Sequence, residues 1–145
     1  MPTHTYTSAY PPGIQVEAGI KTFFEEFYRT SDTPDAHDRY ADFFAPQATL
    51  MLANKKGVGR EEILAVRRGA WAAVSSRLHT PVKIFPFGEG ADEVMLFGTV
   101  KYVLKDGRES EVDWAARANL VKIDGQWKLK FYQVYLDTAA LQNAK

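Results

Sequence analysis

Of the three histidines in this sequence, His4, His37 and His79, only His79 falls in a stretch with the pattern of a strand, SRLHTPVKIF. Imidazole is the side chain that exchanges a proton near neutral pH without needing perturbation, so a histidine on a rigid element is the natural general base. The same residue would equally suit a histidine hydrogen-bonded at the start of a strand. A base needs an orienting partner, and Asp137, at the end of the last extended run, is the expected carboxylate; capping of the chain's final turn is the competing role. Tyr40 and Tyr135 could donate hydrogen bonds to a developing oxyanion, or serve as core aromatics with satisfied hydroxyls. Arg67 falls near the inner stripe of a helix and could bind an anionic group on a substrate. The chain contains no cysteine, which removes thiolate nucleophiles, disulfides and cysteine metal sites. The wide spacing of the histidines forms no metal-ligand motif. No metal and no cofactor is expected.

Composition narrows the partners. Eighteen basic residues balance eighteen acidic ones, with no block of like charge, which argues against nucleic acid and against a membrane-surface helix. Apolar residues make up 46% and aromatics 13% of the 145 residues, enough for one ordered core. Residues 1–12 lack an apolar run, and no apolar stretch approaches the ~18 residues of a membrane span. A cytoplasmic protein that binds a small molecule is the expectation.

The elements that must position these residues follow from periodicity and turn signals. Residues 1–13 are expected to be a loose arm. Val16, Ile20, Phe23, Phe24, Phe27 and Tyr28 then recur at helical spacing from Ile14 to about Arg29. Thr33-Pro34 is the expected start of a short second helix carrying Tyr40, Phe43 and Phe44 and stopping at Pro46. A strand over 48–53, a turn over 54–57 and a third helix opened by Gly59-Arg60-Glu61-Glu62 come next. The buried stripe of that helix is Ile63, Val66, Ala70, Trp71 and Val74. Strands over 79–87 and 93–104 and a hairpin over 109–137 complete one domain, 14–137, with a tail from 138 to 145. The order α-α-β-α-β-β-β-β, helices ahead of a mostly antiparallel sheet, is an α+β arrangement.

Side chains alternate along a strand, so the turns predict which residues share a face. Counting outward from a two-residue turn at Asp124-Gly125 places Trp114, Ala116, Ala118, Leu120, Trp127, Leu129, Phe131, Gln133, Tyr135 and Asp137 together. The same counting about Asp106-Gly107 adds Met95, Phe97, Thr99 and Lys101, with Lys101 near Asp137. This face is the expected core side. Ala116 and Ala118 leave room above them, so the pattern predicts a cavity with polar groups at one end. Its walls would be Trp114, Phe97, Phe44 and Trp71, and its polar groups Gln133, Tyr135, Thr99 and Lys101. The opposite face carries Arg117, Asn119, Lys128 and Lys130 around an apolar middle of Val94, Leu96, Val100, Tyr102, Ala115, Tyr132, Val134 and Leu136. So large an apolar area predicts a covering second copy, a homodimer through the outer sheet face.

The segments FFEEFYR, RYADFFAPQATL, GREEI and WAARANLVKIDGQWKLKFYQVYLD, with its terminal Tyr-x-Asp, resemble the nuclear transport factor 2-like superfamily, in particular its SnoaL-like and scytalone dehydratase-like branches. The resemblance spans residues 14–137. It implies a cone, in which a curved sheet wraps around the N-terminal helices and encloses a cavity, and frequent dimerisation through the outer face. It also implies functions ranging from dehydratases, isomerases, polyketide cyclases and epoxide hydrolases to non-catalytic binding proteins. His79, in SRLHTP, resembles the catalytic histidine of scytalone dehydratase. Asp137 matches an aspartate position of SnoaL-like cyclases and limonene epoxide hydrolase, and Tyr40 a pocket-facing aromatic. The segment GTVKYVL departs from both specific patterns, having neither a second histidine nor Arg-x-Asp. The expected function is a cofactor-independent lyase, isomerase or cyclase for an apolar cyclic or polyketide-like metabolite. The alternative is a non-catalytic dimeric ligand-binding or structural module.

Overall fold

The computed structural model describes residues 4–145, so the first three residues of the expected arm lie outside it. Among the described residues three helices, α1 (Ala18–Ser31), α2 (His37–Asp42) and α3 (Arg60–Trp71), precede or interrupt six strands. The strands are β1 (Phe44–Leu52), β2 (Lys55–Val58), β3 (Val74–Pro86), β4 (Glu93–Leu104), β5 (Glu109–Ile123) and β6 (Gln126–Tyr135). They form one mixed sheet in the order β2-β1-β6-β5-β4-β3, parallel only between β1 and β6. The architecture is α+β, with the helices packed on the inner side of the sheet. No helix among the described residues is long and apolar enough to cross a membrane.

The aromatic stripe of α1 determines its seat. Phe24, Phe27 and Tyr28 are each about 1% exposed. The Phe27 ring meets Tyr132 at 5.1 Å and the Tyr28 ring meets Trp114 at 5.3 Å, which lays α1 against β5 and β6. The short α2 starts later than expected: Thr33 and Pro34 lie in the turn before it, and Ala36 is its N-cap. The expected turn at 54–57 is instead a strand. Ala53 adopts φ 54 and Leu52 pairs with Lys55, so β1 folds back on itself as β2. Gly57 then lies so close to α3 that a Cβ there would sit 2.8 Å from the Glu62 carbonyl.

Two one-residue irregularities reverse the expected faces of β4 and of the far half of β6. The β4–β5 connection is a three-residue loop, in which Leu104 N–H donates to Arg108 C=O and Gly107 has φ 92. An odd loop shifts the register by one, pairing Val100 with Val112 and Gly98 with Trp114. Val94, Leu96, Val100 and Tyr102 therefore point inward, while Met95, Phe97, Thr99 and Lys101 point outward. The Asp124-Gly125 turn pairs Ile123 with Gln126 as expected, but the register slips between Asn119 and Leu120. Beyond that bulge Ala118 pairs with Tyr132 and Ala116 with Val134. Tyr132 and Val134 are thus core residues, and Phe131, Gln133 and Tyr135 lie on the outer face. Trp114, Ala116, Ala118 and Leu120 do face inward as counted.

Both ends of the described chain are tied down. Ala9 pairs in parallel with Lys83, its N–H donating to Val82 C=O and its C=O accepting from Ile84 N–H, each at 3.0 Å. At the other end Lys145 and Glu109 exchange backbone hydrogen bonds of 2.8 and 2.9 Å.

Candidate active site

A cavity of about 270 Å³ opens between the inner face of the sheet, α2, α3 and the C-terminal tail. On one wall His79 Nδ1 lies 2.5 Å from Asp32 Oδ1. Asp32 Oδ2 also accepts from the backbone N–H of His79, at 2.8 Å, so one carboxylate fixes both the ring and the strand that carries it. A carboxylate can only accept, so Nδ1 carries the proton, which leaves the Nε2 lone pair able to accept one.

Asp32 is the C-cap of α1, where the helix dipole disfavours a carboxylate. Two guanidinium groups offset this. Arg67, 1% exposed, donates to the carbonyls of Thr30, Ser31 and Thr33 at 3.5, 3.1 and 2.7 Å and to His37 Nδ1 at 3.1 Å. Arg77 donates to Ser31 C=O from Nε and Nη2 at 3.1 and 2.9 Å, and its Nε is 4.0 Å from Asp32 Oδ1. The orphan carbonyls of α1 are satisfied by side chains that also bring two positive charges to the cavity wall. Burial lowers the Arg67 pKa to about 10, still charged at neutral pH.

His79 is held below the ordinary imidazole value. Burial is the main cause; the hydrogen bond and charge of Asp32 oppose it, and the Arg77 and Arg67 charges add to it. The ring is therefore neutral at pH 7 and able to accept a proton. Tyr40 also lines the cavity, 4.6 Å beneath the Arg67 guanidinium, and its hydroxyl has no hydrogen-bond partner among the described residues. Burial raises its pKa, so it remains a phenol and a donor. Tyr132 lines the cavity with its hydroxyl 2.7 Å from that of Tyr28, and burial keeps both protonated.

The fold brings His79, Tyr40, Arg67, Trp114 and Asp137 to the cavity. Asp137 Oδ1 accepts from Ala139 N–H at 2.9 Å, capping the final turn at the cavity's rim. The carboxylate that holds His79 is Asp32 instead. Phe44 and Trp71 are buried behind the wall, Phe44 against Tyr40 and Trp71 beneath Arg77. Gln133, Tyr135, Thr99, Lys101 and Phe97 lie on the outer face. There Tyr135 donates to Gln133 and Phe97 stacks on Phe85. Lys101 and Asp137 are consequently not neighbours across the cavity. Asp32 and Arg77 are not among the site residues expected from sequence, while Tyr28 is expected as part of the helical stripe and Tyr132 on the outer face. Arg77 had a signal, since two residues before His79 on a strand is the same side.

No protein-family model and no curated protein matches the sequence; the likeness lies in the fold. An NTF2-like protein of unknown function from Exiguobacterium superposes with a TM-score of 0.63 at 20% identity, over 83% of this chain and 99% of that one. A provisionally named scytalone dehydratase from Novosphingobium aromaticivorans gives 0.68 at 18%, over 83% of each chain. A hexachlorocyclohexane dehydrochlorinase, LinA type 2, gives 0.70 at 16%, over 83% and 84%. At these identities the likeness is one of fold: the chain shares the α+β architecture of these NTF2-like and dehydratase-type structures.

Proposed function

We propose that the chain is a lyase, isomerase or cyclase that acts on an apolar cyclic or polyketide-like metabolite in the cytoplasm, using acid–base chemistry supplied by its own side chains. The Asp32–His79 pair at the wall of an apolar cavity carries this reading. His79 Nε2 takes a proton from a substrate carbon, and the imidazolium so formed is stabilised by Asp32. Tyr40 donates to the oxygen on which charge develops. Fold neighbours named for dehydration and dehydrochlorination support an elimination or a related proton transfer. The size of the cavity suits a compound of one to three rings rather than a polymer.

The test begins with small molecules released from protein purified from its host and identified by mass spectrometry. Each is returned to the protein in deuterated water. Wild type should convert the ligand or exchange a carbon-bound proton, and His79→Gln should bind it and do neither. A ligand recovered unchanged and unlabelled would favour the other reading, a non-catalytic binding module.

The partner reading is a homodimer through the outer face of the sheet. Phe85, Met95, Phe97 and Tyr135 are 40–44% exposed there, an apolar surface that water would otherwise cover. Of the apolar residues expected there from sequence, Ala115 does lie on this face, while Val94, Leu96, Val100, Tyr102, Tyr132 and Val134 are turned inward by the register.

A further inference from the structure

The N-terminal arm reaches the dyad itself. Tyr6 donates its hydroxyl proton to Asp32 Oδ2 at 2.8 Å, so that oxygen accepts from both Tyr6 and the His79 backbone while Oδ1 serves the imidazole. We propose that Tyr6 is a positioning residue: its hydroxyl fixes the Asp32 carboxylate and thereby sets the proton affinity of His79. The proposal rests on the reading of His79 as the base.

The arm is built to hold the hydroxyl in place. On the β3 side, Ala9 pairs with Lys83, Ser8 Oγ donates to Pro81 C=O at 3.1 Å, and the His4 ring N–H donates to His79 C=O at 2.7 Å. On the α1 side, Thr7 Oγ1 donates to Glu25 at 3.1 Å, and the Arg29 guanidinium lies 5.3 Å over the Tyr6 ring. Asp32 follows α1 and His79 belongs to β3. The arm thus bridges the two elements whose separation decides whether the dyad forms, and Tyr6 bonds to the dyad at the crossing point. Burial and the neighbouring carboxylate keep the Tyr6 phenol protonated across the working pH range, so it is a donor throughout.

The expected effect has a definite sign. A donor on Oδ2 draws carboxylate charge away from Oδ1, which weakens the hold of Asp32 on an imidazolium. Removing the donor returns that charge and makes His79 more basic. The other groups facing His79 are unchanged by the substitution: Arg77 on β3, Arg67 on α3, Tyr28 on α1 and Trp114 on β5.

The experiment is an NMR titration of the His79 ring in the full chain, for wild type, Tyr6→Phe and Thr7→Ala. Tyr6→Phe keeps the ring over Arg29 and all backbone pairing of the arm; Thr7→Ala loosens the arm from α1 but spares the hydroxyl. The midpoint should rise by roughly half a unit in Tyr6→Phe, a fraction of what a full charge-assisted hydrogen bond could move. It should stay put in Thr7→Ala. A wild-type midpoint in Tyr6→Phe, or equal shifts in both variants, overturns the proposal and leaves the arm as packing. The titration needs no substrate, so loss of the catalytic reading would be seen separately, as absent turnover with the shift intact.

Discussion

Asp32 and His79 are 47 positions apart in sequence, and what joins them is a single carboxylate with both oxygens engaged. Asp32→Asn tests its charge. An asparagine amide would donate to Nδ1, which forces the ring proton onto Nε2 and removes the base. Turnover of the proposed substrate should fall by about 10²–10⁴-fold with KM little changed, as measured by steady-state kinetics. Titration supplies a second outcome. The folded His79 pKa lies below the unfolded value, so the unfolded chain binds the proton more readily. Stability contributed by the neutral ring is present above about pH 6.5 and is lost as pH falls from there through the folded value. The melting temperature should therefore decline below pH 6.5, and less steeply in His79→Gln. The acid limb of the rate profile should follow the folded value.

At the scale of elements, the C-terminus of α1 is the junction on which the site depends. It carries Asp32, and its last carbonyls are capped by Arg67 from α3 and Arg77 from β3. An ordinary helix end would expose those carbonyls to water; this one is buried, so each must find a protein donor. Arg67→Met keeps much of the volume and removes every donor. It should cost about 3 kcal/mol in urea unfolding, the range for breaking a buried charged hydrogen-bond network. The strand pair β3–β4 is shaped by a different contact. Gly98 sits where a Cβ would meet Thr80 O at 2.2 Å, next to the register shift at Pro81, and only glycine admits that close approach.

Across the whole molecule, the sheet's two faces divide the work. The inner face and helices enclose the cavity, and the outer face carries Phe85, Met95, Phe97 and Tyr135. The proposed dimer would bury that patch, and a stable interface needs about 800 Å² from each partner. Sedimentation at micromolar concentration should give twice the 16.3 kDa chain mass, and Phe97→Glu should return a monomer with the cavity unaltered. A monomeric wild type would leave the outer face as ordinary surface.

What was legible in the sequence is what neighbours along the chain decide. The stripe from Ile20 to Tyr28, the Asp124-Gly125 turn, the inward row from Trp114 to Leu120 and the acids opening α3 depend on period, turn chemistry and helix dipole. The placement of His79, Tyr40 and Trp114 at the cavity rests on the same grounds, since each sits on an element whose pattern is local. Tertiary structure decided the rest. One additional residue in the loop before β5 turned Val94, Leu96, Val100 and Tyr102 inward, and one bulge in β6 turned Tyr132 and Val134 inward and Gln133 and Tyr135 outward, because side-chain direction has a period of two. The partner of His79 was likewise beyond the reach of local pattern. Asp137 and Asp32 are both carboxylates in turns, and only the packing of α1 against β3 puts one of them 2.5 Å from the ring.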